Sequence, residues 1–115
     1  MGTTYIHTID IAHPPLVAHV AEQVLNDALT MVRTSSEYRV LKVIHGKGTN
    51  DHPAVLKSVV LNWAYRNKHR MKACIPGEQY TLFDATTQLM RSVCGQIADN
   101  DLGASNTGIT VLWIR

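Results

Sequence analysis

The alternation of hydrophobic and polar positions divides the chain into four short apolar runs and three longer stretches with helical periodicity. Residues 5–11, 70–75 and 108–114 have strand-like patterns, and the branched apolar residues within 39–44 are typical of a buried strand. Apolar residues recur three and four positions apart in about 15–33, 53–67 and 84–97, which predicts amphipathic helices. The resulting order is βαβαβ(α)β.

This order predicts the fold class and the edge of the sheet that carries function. Strands that alternate with helices are typical of parallel sheets with right-handed crossovers. We therefore predict an α/β fold, a two-layer sandwich with a mostly parallel four-stranded sheet. If the first two strands are neighbours, the loops that follow them meet at one edge. Ligands of open α/β sheets bind at that edge.

A glycine-containing loop, H-G-K-G at residues 45–48, directly follows the buried strand. Its glycines permit positive φ, so that consecutive amide groups can point at one place. The next residues, T-N-D-H-P, are typical of a helix start. A strand, a glycine loop and a helix N-terminus together predict a phosphate site. An ordinary tight turn would have the same spacing, and the segment is not a Walker A loop.

Length and composition indicate which class of protein to expect. A chain of 115 residues with 45% hydrophobic and 17% charged residues is expected to form one folded domain, residues 1–115. Cys74 and Cys94 are far apart and are expected to be free thiols in a reducing cytoplasm. No apolar stretch reaches the ~20 residues that span a membrane, and the first residues do not resemble a signal peptide. We expect a cytoplasmic protein without a membrane partner, and favour a monomer.

Charge is distributed unevenly along the chain. Residues 38–75 contain eight basic residues and one acidic residue, whereas the rest of the chain contains three basic and eight acidic residues. A basic middle section in a chain of net charge +2 favours a face that binds a polyanion. A solvated, lysine-rich edge is the alternative interpretation.

Three segments resemble the Smr domain, the small MutS-related domain. Residues 43–48 read V-I-H-G-K-G and match the family motif V-I-H-G-x-G. Residues 55–63 read V-L-K-x-V-x-x-x-W and are similar to the helix that follows this motif in the family. Residues 108–114 read G-I-T-V-L-W-I and are similar to the family's closing strand. The resemblance covers essentially the whole chain. It implies a fold similar to the C-terminal domain of translation initiation factor 3. It also implies nucleic-acid binding with endonuclease activity, the hydrolysis of DNA or RNA phosphodiester bonds.

The chain departs from the family pattern in two places. The family opens with L-D-L-H-G, whereas residues 9–13 read I-D-I-A-H; Asp10 matches, Ala12 replaces the histidine and His13 takes the place of glycine. The chain also inserts some thirty residues before the last strand, including the helix predicted at about 84–97.

Phosphodiester cleavage needs two proton-transfer groups and positive charge on the phosphate. We assign one proton role to His45, phosphate binding to Lys47 and the loop amides, and the orientation of a histidine to Asp10. His13 takes the second proton role if the loop shifts by one residue; otherwise it only precedes a proline turn. The predicted nucleic-acid contacts are Gly46, Lys47, Gly48, Lys57, Lys68, Arg70 and Lys72.

Within this set, the turn at 68–72 is expected to lie beside the glycine loop and to dominate affinity. The histidines and cysteines lack the spacing of a zinc site, no cofactor motif is recognisable, and a requirement for a divalent metal stays open. Two alternatives also stay open. One is a non-catalytic adaptor that binds nucleic acid or ribosomes, favoured by Ala12. The other is a protein-interaction domain without a nucleic-acid role.

Overall fold

The structure is a computed structural model that describes residues 4–48 and 55–115. Its strands are β1 (Ile6–Asp10), β2 (Val40–Ile44), β3 (Ala73–Pro76) and β4 (Ile109–Trp113). Its helices are α1 (Ala18–Thr34), α2 (Val55–Arg66) and α3 (Ala85–Cys94), with short 3-10 turns at Lys68–Arg70 and Gly77–Gln79. The predicted α/β fold is therefore confirmed.

Several element boundaries differ from the sequence prediction for local reasons. β3 begins at Ala73 rather than at residue 70, because Lys68–Arg70 forms a 3-10 turn. α3 ends at Cys94 rather than near 97, because Gly95 takes a φ of 130° that ends the helix. The helix start predicted at 49–53 lies outside the described residues.

The prediction of a mostly parallel sheet is wrong. The strand order is β1-β2-β4-β3, in which β1 and β2 pair in parallel while β4 runs antiparallel to both of its neighbours. The first three strands do share one direction, as the alternation with helices predicted. The last strand is inserted between β2 and β3 in the opposite direction, so two of the three pairings are antiparallel.

The connection between β3 and β4 explains this reversal. After β3, α3 runs across the sheet toward the start of β2, where the Arg39 side chain donates to the carbonyl oxygen of Val93 at 3.4 Å. Residues 95–108 then return across the same face, and the amide of His45 donates to the carbonyl oxygen of Gly108 at 2.9 Å. The chain crosses the sheet twice, first as α3 and then as residues 95–108, and so returns to the edge where β3 ended. β4 therefore starts at that edge and runs antiparallel to β2 and β3.

One face of the sheet packs against α1 and α2. Leu41, Val43 and Leu112 point from the central strands into a buried cluster with Leu25 and Trp63. The indole nitrogen of Trp63 on α2 donates to the side-chain oxygen of Asn26 on α1 at 2.8 Å, which satisfies the polar atom of the largest fully buried side chain. This core corresponds to the two predicted layers.

The opposite face is covered as well, by α3 and the returning segment. Val40, Ile109 and Val111 pack there against Tyr80 and Met90. The central strands β2 and β4 are thus buried on both faces, and α3 adds a partial third layer to the two that the sequence predicted.

A charged side chain lies within this second face. Lys42 of β2 donates to both carboxylate oxygens of Asp99 at 2.7 and 2.8 Å and to Asp101 at 2.9 Å. The side chains of Lys42 and Asp99 are each only 8% exposed. The hydroxyl of Tyr80 also donates to Asp99, at 2.9 Å. These four side chains, called the Lys42 network below, hold the returning segment on the sheet.

Candidate nucleic-acid interface

The glycine loop lies at the carboxyl ends of β1 and β2, as the sequence predicted from the parallel pairing of these strands. The amide of Ile11 donates to the carbonyl oxygen of Ile44 at 3.0 Å, so the loops that follow the two strands are neighbours. Gly46 and Gly48 have φ values of 84° and 74°, which glycine adopts without strain.

Part of the loop backbone is already engaged. The amides of His45 and Gly46 both donate to the carbonyl oxygen of Gly108, at 2.9 and 3.0 Å. An anion bound by this loop would therefore be held by the later amides, those of Lys47 and Gly48. The Lys47 stem lies over Gly108, because a Cβ on Gly108 would stand 3.0 Å from the Cγ of Lys47.

Asp10 and His13 form a pair at the end of β1. The Asp10 carboxylate accepts the amides of Ala12 and His13 at 2.8 and 3.1 Å and lies 2.9 Å from the Nδ1 atom of His13. Chiefly because of the Ala12 amide, the pKa of Asp10 lies below its ordinary value. A carboxylate only accepts, so Nδ1 of His13 carries a proton and Nε2 is left to exchange one. The His13 side chain is 70% exposed.

His45 is arranged differently from His13. The residue is 3% exposed, with Nδ1 lying 3.0 Å from the carbonyl oxygen of Gly46 and Nε2 lying 2.9 Å from the hydroxyl of Thr110. The carbonyl fixes the proton on Nδ1, so Nε2 accepts from Thr110. Burial lowers the pKa of His45, which favours the neutral ring. The imidazole thus holds the loop through these two hydrogen bonds, and it lies on the face of the sheet that packs against α1 and α2.

A cleft of about 360 Å³ opens at this edge, on the face that α3 covers. Its lining comes from the loop after β1, from β2, β4, the glycine loop and the returning segment: His13, Ile44, Gly46, Lys47, Asp101, Asn106, Gly108 and Ile109. The structure therefore brings His13 and Lys47 to one cleft, whereas the buried His45 side chain is not part of its lining. Asp101 and Asn106 were missed by sequence reasoning, because nothing in a polar loop indicated which residues return to the glycine loop.

Ala12 faces the glycine loop. A Cβ added to Gly46 would stand 3.6 Å from the Cβ of Ala12. A histidine at position 12 would therefore be directed toward Gly46, whereas His13 points toward Asp10.

The basic middle section does not form one surface. Lys42 is buried in its network, Lys57 lies 3.3 Å from a carboxylate oxygen of Glu78, and Arg66 lies 3.1 Å from Glu22. Carboxylates from outside the basic section therefore compensate three of its eight cations. Lys57, in the first described turn of α2, still influences His45 electrostatically.

The expectation that the 68–72 turn lies beside the glycine loop is wrong. The amide of Lys72 donates to the carbonyl oxygen of Trp113 at 2.7 Å, at the end of β4, whereas Gly108 at its start bonds the glycine loop. Five steps of about 3.4 Å separate Gly108 from Trp113, so the two regions lie about 17 Å apart at opposite ends of the sheet. The physical reason is that α2 runs the length of the sheet before the turn begins.

Basic groups nevertheless cluster at this far end. A depression of about 350 Å³ is lined there by Arg33, His69, Arg70, Met71, Lys72, Ile114 and Arg115. Lys68 lies nearby, with its ammonium 4.2 Å from the centre of the Tyr65 ring. Arg33 and Arg115 join this cluster from distant parts of the sequence, which the periodicity of the chain could not reveal.

The described residues contain neither a metal-binding cluster nor a membrane-spanning helix. Within residues 4–48 and 55–115, no three histidine, cysteine, aspartate or glutamate side chains are grouped as a metal would require. None of the helices in those two ranges is long and apolar enough to cross a membrane. Cys74 and Cys94 are free thiols, as predicted.

Comparison with known proteins defines the class. A model of the Smr domain matches residues 16–81, which is more than half of the chain. The chain therefore belongs to the Smr domain family, which is associated with nucleic-acid binding and nuclease activity. The fold is also similar to the crystal structure of the Smr domain of Thermus thermophilus MutS2, with a TM-score of 0.55, 19% identity and 96% of each chain covered. No curated protein matches the chain significantly.

Proposed function

We propose that this Smr domain is an endonuclease that cleaves a nucleic-acid phosphodiester bond at the cleft beside the glycine loop. The observation that supports this most is the Asp10–His13 pair, which faces the same cleft as Lys47. Ala12 stands where the family has a histidine. Asp10 holds the neighbouring His13 instead, so His13 can take the role of that histidine. The whole chain then acts as one Smr domain, in which α3 and the returning segment are an insertion.

The roles follow from the hydrogen-bond geometry. Asp10 fixes the proton on Nδ1 of His13, so Nε2 takes the proton of the attacking water or hydroxyl. The leaving oxygen takes its proton from solvent water, which reaches this edge because the His13 side chain is 70% exposed. The Lys47 side chain and the amides of Lys47 and Gly48 hold the phosphate and stabilise the charge that develops on it. His45 was predicted to transfer a proton; its burial and its two hydrogen bonds favour a positioning role instead. The neutral His45 ring keeps the loop in the conformation that binds the phosphate.

A cleavage assay with matched histidine variants tests this proposal. We expect His13→Gln to lower the single-turnover rate on nicked, branched or single-stranded substrates by at least 100-fold, the usual contribution of a general base. His19→Gln, an exposed position on α1, should retain the full rate. Equal rates in the wild type and His13→Gln would assign the activity to another group or to a contaminant.

The alternative is a non-catalytic module that binds nucleic acid or ribosomes, and Ala12 favours it. The Ala12 methyl faces Gly46, so a histidine there would be directed at the loop. If the missing histidine is the defect, Ala12→His should create cleavage in an otherwise inactive protein while leaving affinity nearly unchanged. Activity in the wild type would reject this alternative.

A further inference from the structure

The inserted segment forms one wall of the cleft and presents two polar side chains to it. Asp101 accepts from the ammonium of Lys42 at 2.9 Å and from the amide nitrogen of Asn106 at 3.1 Å. The side-chain oxygen of Asn106 in turn accepts the amide of Gly108 at 2.9 Å. Because Lys42 is anchored in the sheet, this wall is fixed relative to the glycine loop.

Both side chains keep hydrogen-bonding capacity after these contacts. Each carboxylate oxygen of Asp101 accepts one hydrogen bond within the protein and can accept a second. The amide nitrogen of Asn106 has two hydrogens, of which one is directed to Asp101. The wall therefore offers an acceptor next to a donor.

The rest of the cleft has a different character. The partly exposed Ile44 and the almost fully buried Ile109 supply an apolar floor, while Lys47 and His13 stand on the side of the glycine loop. A ligand that fits has a phosphate at one end, a flat apolar body over the isoleucines, and an edge that carries a donor beside an acceptor. A nucleotide has these three parts, and its base edge matches the pair formed by Asp101 and Asn106.

We propose that the cleft holds one unpaired nucleobase, adjacent to the phosphate that Lys47 binds, and that Asp101 and Asn106 read the Watson–Crick edge of this base. The inference rests on the proposed function and adds the substrate class to it. A base whose pairing edge is occupied by protein cannot be paired with another base. The domain therefore selects single-stranded or unpaired nucleotides over an intact duplex.

Binding to strands with and without bases tests the inference. We expect the wild type to bind a single-stranded 12-mer about tenfold more tightly than an abasic 12-mer at the same salt concentration, since a hydrogen bond to a charged group contributes an effect of that order. The two strands have the same phosphates, so only base recognition separates them. A blunt duplex of equal length should bind like the abasic strand.

Two isosteric variants locate the effect. Asp101→Asn should abolish the preference for the strand with bases, whereas Asp27→Asn, the same change at an exposed position on α1, should retain it. Equal wild-type affinity for the normal and abasic strands would overturn the inference and leave the proposed function standing. Failure to bind either strand would overturn both.

Discussion

His45 holds the glycine loop in place, and its burial makes protonation of its ring unfavourable in the folded protein. Its ring is enclosed and holds the loop through Gly46 and Thr110. Because burial lowers its pKa below the ordinary 6.5, the unfolded chain binds a proton there more readily than the folded chain. The stabilisation by His45 is therefore present above pH 6.5 and is lost as the pH falls through the lower folded-state value.

We expect this loss to be visible in denaturant unfolding between pH 7.5 and 5. One group contributes at most about 1.4 kcal/mol per pH unit to the free energy of unfolding. His45→Gln, which cannot protonate, should be less stable than the wild type at pH 7.5 but should lose less stability on acidification. Parallel curves for the two proteins would contradict a buried, neutral His45.

The sequence predicted which residues lie at the glycine loop better than it predicted how each side chain is held. The motif at 45–48 indicated the loop, and the succession of Asp10 and His13 indicated a carboxylate–histidine pair. Whether the His45 ring faces the cleft or the core depends on its contact with Thr110, which is 65 positions away. Local spacing does not contain that information.

At the scale of elements, the Lys42 network fastens the inserted segment to the sheet. Burial by itself would raise the pKa of Asp99, but the hydrogen bonds from Lys42 and from the Asp101 amide bring it below its ordinary value. Burial and Asp99 raise the pKa of Tyr80, so its hydroxyl stays protonated and donates. Asp99 thus links Lys42 to Tyr80, and loss of its carboxylate would remove a hydrogen bond from each.

Removing one charge from this network should be costly. We expect Lys42→Met to lower the free energy of unfolding by about 3–5 kcal/mol, because it leaves buried Asp99 without its counter-ion. Adding Asp99→Leu should recover much of this loss, since the uncompensated charge is then gone. Equilibrium unfolding in urea measures both variants. A double variant as unstable as Lys42→Met would mean that packing, rather than charge, dominates here.

The elements themselves were largely readable from the sequence, whereas their arrangement was not. Apolar periodicity located the three helices and four strands of the described residues. The parallel sheet was inferred from the alternation of strands and helices, and this inference failed at β4. The reversal arises because residues 77–108 cross the second face twice, and the buried Lys42 that holds them looks like a solvent-exposed lysine in the sequence.

At the scale of the whole molecule, positive charge is split between two ends of the sheet. Lys47 stands at one end, and the cluster with Arg70, Lys72 and Arg33 stands at the other, about 17 Å away along β4. A nucleic-acid strand that follows the domain could contact both ends. In that arrangement the far cluster adds general affinity, while chemistry stays at the glycine loop.

Salt-dependent binding separates the two contributions. Each phosphate contact adds about 0.7–0.9 to the slope of log affinity against log salt concentration. Replacing Lys68, Arg70 and Lys72 by alanine should lower the slope by about 2, equally for all strand sequences, and should leave the cleavage rate at saturation nearly unchanged. Lys47→Ala should instead reduce cleavage more than affinity, because its charge is aimed at the reacting phosphate. A triple variant with an unchanged slope would locate the binding surface elsewhere.

The sequence predicted the excess of positive charge but not its division between two surfaces. The excess of basic residues in 38–75 indicated polyanion binding. Three of those cations turned out to be paired with carboxylates, and others lie at the far end of the sheet. The direction of α2 and the contacts of Arg33 and Arg115 depend on tertiary packing, so a count along the chain could not separate two surfaces.

In the proposed function, the phosphate of the nucleic acid lies at the edge formed by Asp10, His13 and Lys47. Amide chemical shifts of the labelled protein, recorded during titration with a phosphorothioate oligonucleotide that resists cleavage, test it most directly. We predict saturable shifts at Ala12, His13, Lys47 and Gly48, with smaller shifts at 68–72. Shifts confined to residues 68–72 and their neighbours, with none at the glycine loop at saturation, would mean that the phosphate binds elsewhere.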